Sequence, residues 1–136
     1  MDKLNDINTQ AYRFTINTHP DFIKDIYDII DHSGHNAEFM KVFRMRLKQL
    51  GEYGGKAVIY FPDNFEVLKH ETGMCSMRIK TKNLNVRILY SFIDDSSIIL
   101  LHGFFKRSKK KVSDYTNHTP IAKQRLAEKS GGNRDE

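Results

Sequence analysis

Three runs in the second half of the chain, CSMRIKT (75–81), NVRILYSFI (85–93) and SIILLHGF (97–104), constrain the fold more than any other feature. Each is rich in β-branched, aromatic or aliphatic residues. Only Lys82–Leu84 and Asp94–Ser96 separate them, a spacing typical of consecutive hairpins. An antiparallel meander is expected. Side chains alternate across a strand, so Met77 and Ile79 take one face and Arg78, Lys80 and Lys82 the other. The second run repeats the division: Val86, Ile88, Tyr90 and Phe92 cover a helix layer, which leaves Asn85, Arg87, Leu89 and Ser91 beside the basic row. One sheet face is then apolar and the other cationic. In the third run strict alternation groups Ile98 and Leu100 with His102, against Ile99, Leu101 and Gly103. Register decides whether His102 meets the core or the basic face.

Upstream, residues 12–17 alternate Tyr12, Phe14 and Ile16 with polar neighbours, which predicts a short first strand. DFIKDIYDII then places Phe22, Ile26, Ile29 and Ile30 at helical spacing, ending near Ser33-Gly34. A second amphipathic helix is expected from Asn36 as cap, with Phe39, Met40, Phe43, Leu47 and Leu50 on one face and Gly51 as its stop. Arg44, Arg46 and Lys48 fall mainly on its solvated side. Residues 51–73 read as loop with one short strand or turn. After the meander comes a basic, turn-rich segment, and Pro120–Glu128 reads as a short C-terminal helix with proline in its first turn. The fold class is therefore α+β: an antiparallel sheet packed on two N-terminal helices, with a short C-terminal helix. Residues 1–129 form one domain and 130–136 a flexible tail.

Charge is divided unevenly along the chain. Residues 1–75 hold nine Lys and Arg against eleven Asp and Glu, whereas residues 76–136 hold thirteen against six, balances of −2 and +7. A cationic half of this kind favours a polyanionic partner, because clustered cations release counterions on meeting phosphates. No run approaches the length of apolar sequence that crosses a bilayer, and the start lacks a signal-peptide layout, so a cytoplasmic protein without membrane contact is expected. Cys75 is the only cysteine, which excludes an internal disulfide and a thiolate cluster and suggests a buried structural thiol. The six histidines show no paired ligand spacing, and phosphate loops and nucleophile elbows are absent, so neither metal nor cofactor is expected.

Lys106, Arg107, Lys109, Lys110 and Lys111 supply five cations in six residues, which must face water or phosphate. Phe104, Phe105 and Tyr115 flank them, and aromatics interleaved with cations suit single-stranded RNA. Cleavage of RNA by its own 2′-hydroxyl needs a proton acceptor, a donor for the leaving 5′-oxygen, and cations against the charge of the pentavalent phosphate. Arg78, Arg87, Lys106 and His102 are the candidates for those tasks. Lys80, Lys82, Phe104, Arg107, Lys109, Lys110 and Lys111 are candidates for binding the strand.

The run MRIKTKNLNVRILYSFIDDSSIILLHGFFKRSKKK resembles the HigB-like, phage-derived branch of the RelE/ParE toxins, whose pattern reads roughly E-L-R-I, Y-R-I-L-Y, an acidic turn, L-L-H-G-F and K-K. The likeness covers about residues 74–129. Arg78 and Arg87 fall on the arginines of the first two blocks, and His102, Phe104, Lys106 and Arg107 on the last. The resemblance implies a compact α+β fold, a neutralising helix-turn-helix antitoxin encoded beside the toxin, and cleavage of mRNA on the translating ribosome. Other members of the superfamily inhibit DNA gyrase instead, and a non-catalytic binding module is a further alternative. Ser76-Met77 replaces the glutamate-leucine of the first block, and KKKVSDYTNHTP replaces a short K-T-P. That longer segment adds Tyr115 and His118 as candidates for the acid or base role.

Overall fold

The computed structural model describes residues 12–106 and 111–134, with the side chains of 115–128 in the second stretch. In chain order the elements are β1 (Thr15–Thr18), α1 (Pro20–Ser33), α2 (Asn36–Tyr53), a 3-10 turn (Gly54–Lys56), α3 (Ala57–Tyr60), β2 (Phe65–Val67), β3 (Cys75–Lys80), β4 (Asn85–Asp94), β5 (Ser97–Phe105) and α4 (Lys111–Arg134). The strands form one sheet in the order β1-β5-β4-β3-β2. β2 to β5 pair antiparallel, as the hairpin spacing requires. β1 runs parallel to β5, with Thr15 opposite Ser97 and Thr18 opposite Leu100, so the sheet is mixed. A parallel pair needs a long crossover, and both N-terminal helices lie within this one.

Local chemistry explains the helix ends. The His19 imidazole accepts the Asp21 N–H, Pro20 occupies the first turn, and Gly34 closes α1 in the left-handed region at φ 72°. At the start of α2 the cap position belongs to His35, which makes no side-chain capping bond; Asn36 is already helical. Gly51 does not stop this helix, which continues to Tyr53. A Cβ at Gly51 would lie 2.4 Å from the Tyr12 ring, so glycine is there for close approach, and Gly54 at φ 53° provides the termination.

Two apolar layers sandwich the sheet. Phe22, Ile26, Phe39, Phe43 and Leu47 of α1 and α2 pack on Met77, Ile79, Val86, Ile88, Tyr90 and Leu100. The opposite face carries a second, smaller core in which Leu68, Met74, Leu89, Ile99, Leu101 and Phe104 meet Tyr115 and Ala122 of α4. This layer corrects two expectations. The C-terminal helix starts nine residues earlier than its proline suggested, leaving Pro120 in its interior, and much of the face expected to be open and cationic lies beneath it. Arg44 and Lys48 are exposed as expected, whereas Arg46 turns inward and donates from Nε to the Arg78 carbonyl at 2.8 Å. Cys75 is buried, and desolvation pushes its thiol up to about 11.

Candidate active site on the second sheet face

A one-residue irregularity settles where His102 points. Leu89 stands opposite His102 and Tyr90 opposite Leu100, so Leu101 is an extra residue on β5. Such a bulge interrupts the alternation and re-aims the side chains beyond it. His102 therefore leaves the face of Ile98 and Leu100 and joins Leu89 under α4, where it is 7% exposed.

β1 ends opposite Leu100, and beyond that point residues from both helix layers close around β5. Arg125 of α4 donates from Nη1 to the Leu101 carbonyl at 2.9 Å and also to Asp25 Oδ2 of α1. His102 Nδ1 lies 2.9 Å from the same Asp25 oxygen, and His102 Nε2 lies 2.8 Å from His118 Nδ1. An ionised Asp25 accepts hydrogen bonds only, which puts the proton of His102 on Nδ1; Nε2 then accepts from His118. The outcome is a continuous hydrogen-bonded line, Asp25–His102–His118, that fixes the tautomer and orientation of each ring. Burial alone would raise the Asp25 pKa, but hydrogen bonds from His102 and Arg125 outweigh it and hold the carboxyl below its ordinary value.

His118 lies flat on Phe104, with ring centroids 3.9 Å apart and planes 4° from parallel, and Tyr115 meets Phe104 edge-on at 5.9 Å. Phe104 is 5% exposed. It is thus a platform for His118 rather than the base-stacking ring that the sequence suggested.

Across the strands, Phe104 stands opposite Arg87 and Arg87 opposite Arg78. Like charges directly opposite one another destabilise a sheet, and among the described residues only Arg78 of these two is paired with an anion. Arg78 Nη2 pairs with Glu66 Oε1 at 2.9 Å. Arg87 is 7% exposed, against the solvent-facing position expected for it. Its Nη1 donates to Asn85 Oδ1 at 2.6 Å, its Nε is buried without a partner, and no carboxylate among the described residues pairs with it. The Tyr115 hydroxyl donates to Glu66 at 3.1 Å and receives the Ser76 hydroxyl at 2.8 Å. Burial, reinforced by the Glu66 charge, raises the Tyr115 phenol and keeps it protonated. One step toward the sheet end, Lys80 stands opposite Asn85, whose carbonyl accepts the Lys106 N–H at 2.8 Å. Lys80 and Lys82 are exposed and Lys106 is half-buried.

The fold thus gathers Arg78, Arg87, Lys106, His102, Tyr115 and His118 at one end of one face. Arg107, Lys109 and Lys110 lie outside the described residues; Lys111 opens α4, its side chain outside them too. Sequence reasoning missed Asp25, Arg125, Ser76 and Glu66. Glu66 sits opposite Ser76, so the neighbouring strand brings a carboxylate to the place where the chain's own first block lacks one. The stripe Tyr115, Thr119, Ala122, Leu126 was the available signal for α4, and Arg125 rides beside it. Among the described residues no three of His, Cys, Asp and Glu are grouped to hold a metal ion, and no helix is long and apolar enough to cross a membrane.

No curated protein matches the chain. The profile for phage-derived protein Gp49-like (DUF891) matches residues 31–127, a span holding both arginines, the β5 bulge, the His102–His118 pair and Arg125. A match over well more than half of the length places the chain in the phage-derived Gp49-like family, a RelE/toxin-like family.

Proposed function

We propose that the chain is the toxin of a type II toxin–antitoxin pair, a metal-independent endoribonuclease that cuts mRNA on the ribosome in the cytosol and is neutralised by a helix-turn-helix antitoxin. Family membership is compatible with a toxin nuclease. The observation that carries the reading is Arg87: a buried guanidinium with an unsatisfied Nε and no carboxylate partner among the described residues. A buried cation without an anion is costly, and a phosphate diester would supply the missing charge. Arg78 beside it is balanced by Glu66, so the pair can hold one phosphate without excess repulsion.

In this reading His118, oriented by His102 and Asp25, takes the proton from the 2′-hydroxyl as its oxygen attacks phosphorus. Arg87 and Arg78 stabilise the charge of the pentavalent phosphate. The bond to the 5′-oxygen breaks, with Lys106 and the protonated Tyr115 on hand to supply a proton. The products are a 2′,3′-cyclic phosphate and a 5′-hydroxyl. Lys80 and Lys82 hold the strand on either side.

The cover that α4 places over Arg87 and His102 favours a second reading, a non-catalytic module that binds nucleic acid or its antitoxin. Primer extension on cellular mRNA after induction separates the two. New 5′-hydroxyl ends inside translated regions, absent with Arg87→Ala, are expected from the nuclease. Growth arrest without such ends would move the target to gyrase, and neither effect would leave the binding module.

A further inference from the structure

A cleft of about 500 Å³ opens between the β2–β3 connection and the first half of α4, lined among others by Glu66, Leu68, Glu71, Tyr115, Thr119 and Pro120. It adjoins the arginine row directly. Tyr115 lines the cleft and donates to Glu66, and Glu66 pairs with Arg78. We infer that the cleft is a nucleobase subsite for an RNA strand whose phosphate lies on Arg87, and that it selects a base with imino and amino donors, guanine first and uracil last. The inference rests on the RNA reading above and adds to it where a base goes and which one.

Size and wall chemistry fit an extruded base. Small-ligand sites typically enclose about 300–1,000 Å³ with apolar walls and a few fixed polar groups. Here Leu68 and Pro120 give apolar walls, and Val67, 54% exposed, adds an apolar edge. Single-stranded RNA is read in this way, by stacking on flat surfaces and hydrogen bonding at the Watson–Crick edge. The fixed polar groups decide the preference. Glu66 and Glu71 are carboxylates, which as anions only accept hydrogen bonds. Glu71 is held in place by Lys123 Nζ at 3.1 Å on Oε2 and by the Thr119 hydroxyl at 3.5 Å on Oε1. Guanine presents N1–H and an N2 amino group side by side, a match for one carboxylate. Uracil presents a single N3–H between two carbonyl oxygens, which would face the carboxylate with repulsion. Lys69 and His70, exposed on the cleft lining, are placed for the neighbouring phosphate.

The test is titration of the isotopically labelled chain with guanosine 3′-monophosphate and with uridine 3′-monophosphate, followed through its amide resonances. Guanosine should bind tighter by roughly 5- to 100-fold, the discrimination of one bidentate pair, with shifts at Leu68, Glu71 and Thr119. Thr116→Trp, at an exposed position on the cleft, should block binding, and Glu71→Gln should narrow the preference with the rest of the spectrum unchanged. Equal affinities, shifts confined to other parts of the chain, or binding indifferent to both variants would overturn the subsite. The readout needs no cleavage. RNA cut without base preference, with neither nucleotide bound, would remove the subsite and keep the nuclease; a guanosine preference in a protein that cuts nothing would do the reverse.

Discussion

Asp25→Asn isolates the hydrogen-bonded line behind His118, and its cost follows from burial. The Asp25, Arg125 and His102 side chains are 18%, 15% and 9% exposed. Removing one partner of a fully buried ion pair costs about 3–5 kcal/mol, whereas exposed pairs contribute about 0–1 kcal/mol. Accessibility between those limits gives about 2 kcal/mol, or roughly 6 °C in melting temperature for a chain of this size. The sign of the pH dependence is fixed as well. Asp25 is held below its ordinary value of 3.8 when folded, so its contribution is complete above that value and is lost as pH falls through the lower folded value. Asparagine does not titrate. Urea denaturation of both proteins between pH 7 and pH 2 should therefore show a gap that is widest near neutrality and closes below about pH 4. In the same variant the amide can donate as well as accept, so His102 is no longer confined to one tautomer. RNA cleavage should fall by about 10²- to 10⁴-fold, the range of general acid–base catalysis. No gap at pH 7, or a gap that does not narrow as pH falls below about 4, would refute the ion-paired carboxylate.

Arg87→Met keeps most of the volume and removes a buried charge that has no carboxylate partner among the described residues; it should unfold at the same or higher urea concentration than the wild type, by up to about 1 kcal/mol, while abolishing growth arrest. Gly51→Ala puts a methyl group into the Tyr12 ring, and the clash, about 1–3 kcal/mol, should exceed the gain of about 1 kcal/mol in helix propensity, read as a lower urea midpoint. Cys75, with its thiol at about 11, should be about one part in a thousand thiolate at pH 8 and react with a thiol reagent only as the chain unfolds.

The meander was legible because its alternation is strong and its turns are short, and α1 and the course of α2 were legible from their apolar stripes. What escaped was long-range. Alternation assigns His102 to the face of Leu100, and the extra residue Leu101 reverses the assignment; nothing in SIILLHGF marks which residue will bulge. α4 was cut short because Thr119, Ala122 and His118 are weakly apolar and Pro120 reads as a helix start. With its first half unrecognised, the face it covers looked open, and Arg87 and Phe104 looked exposed. Asp25 and Arg125 are 100 residues apart and each reads alone as a surface charge. The parallel placement of β1 was hidden in a different way, since a four-residue strand carries no mark of its partner.

That parallel edge has a consequence for the order in which the protein assembles. Thr15 must wait for Ser97 and Thr18 for Leu100, whereas β3, β4 and β5 find each other through turns of a few residues. Local pairings form first because the entropy of loop closure grows with separation. As the polypeptide leaves the ribosome, the helices of the crossover and the hairpins can settle early, while β1 docks among the last events and α4 follows to roof the second face. Mutations in β1 should then hasten unfolding more than they slow folding, and a nascent chain stalled before residue 97 would hold the first strand without its partner.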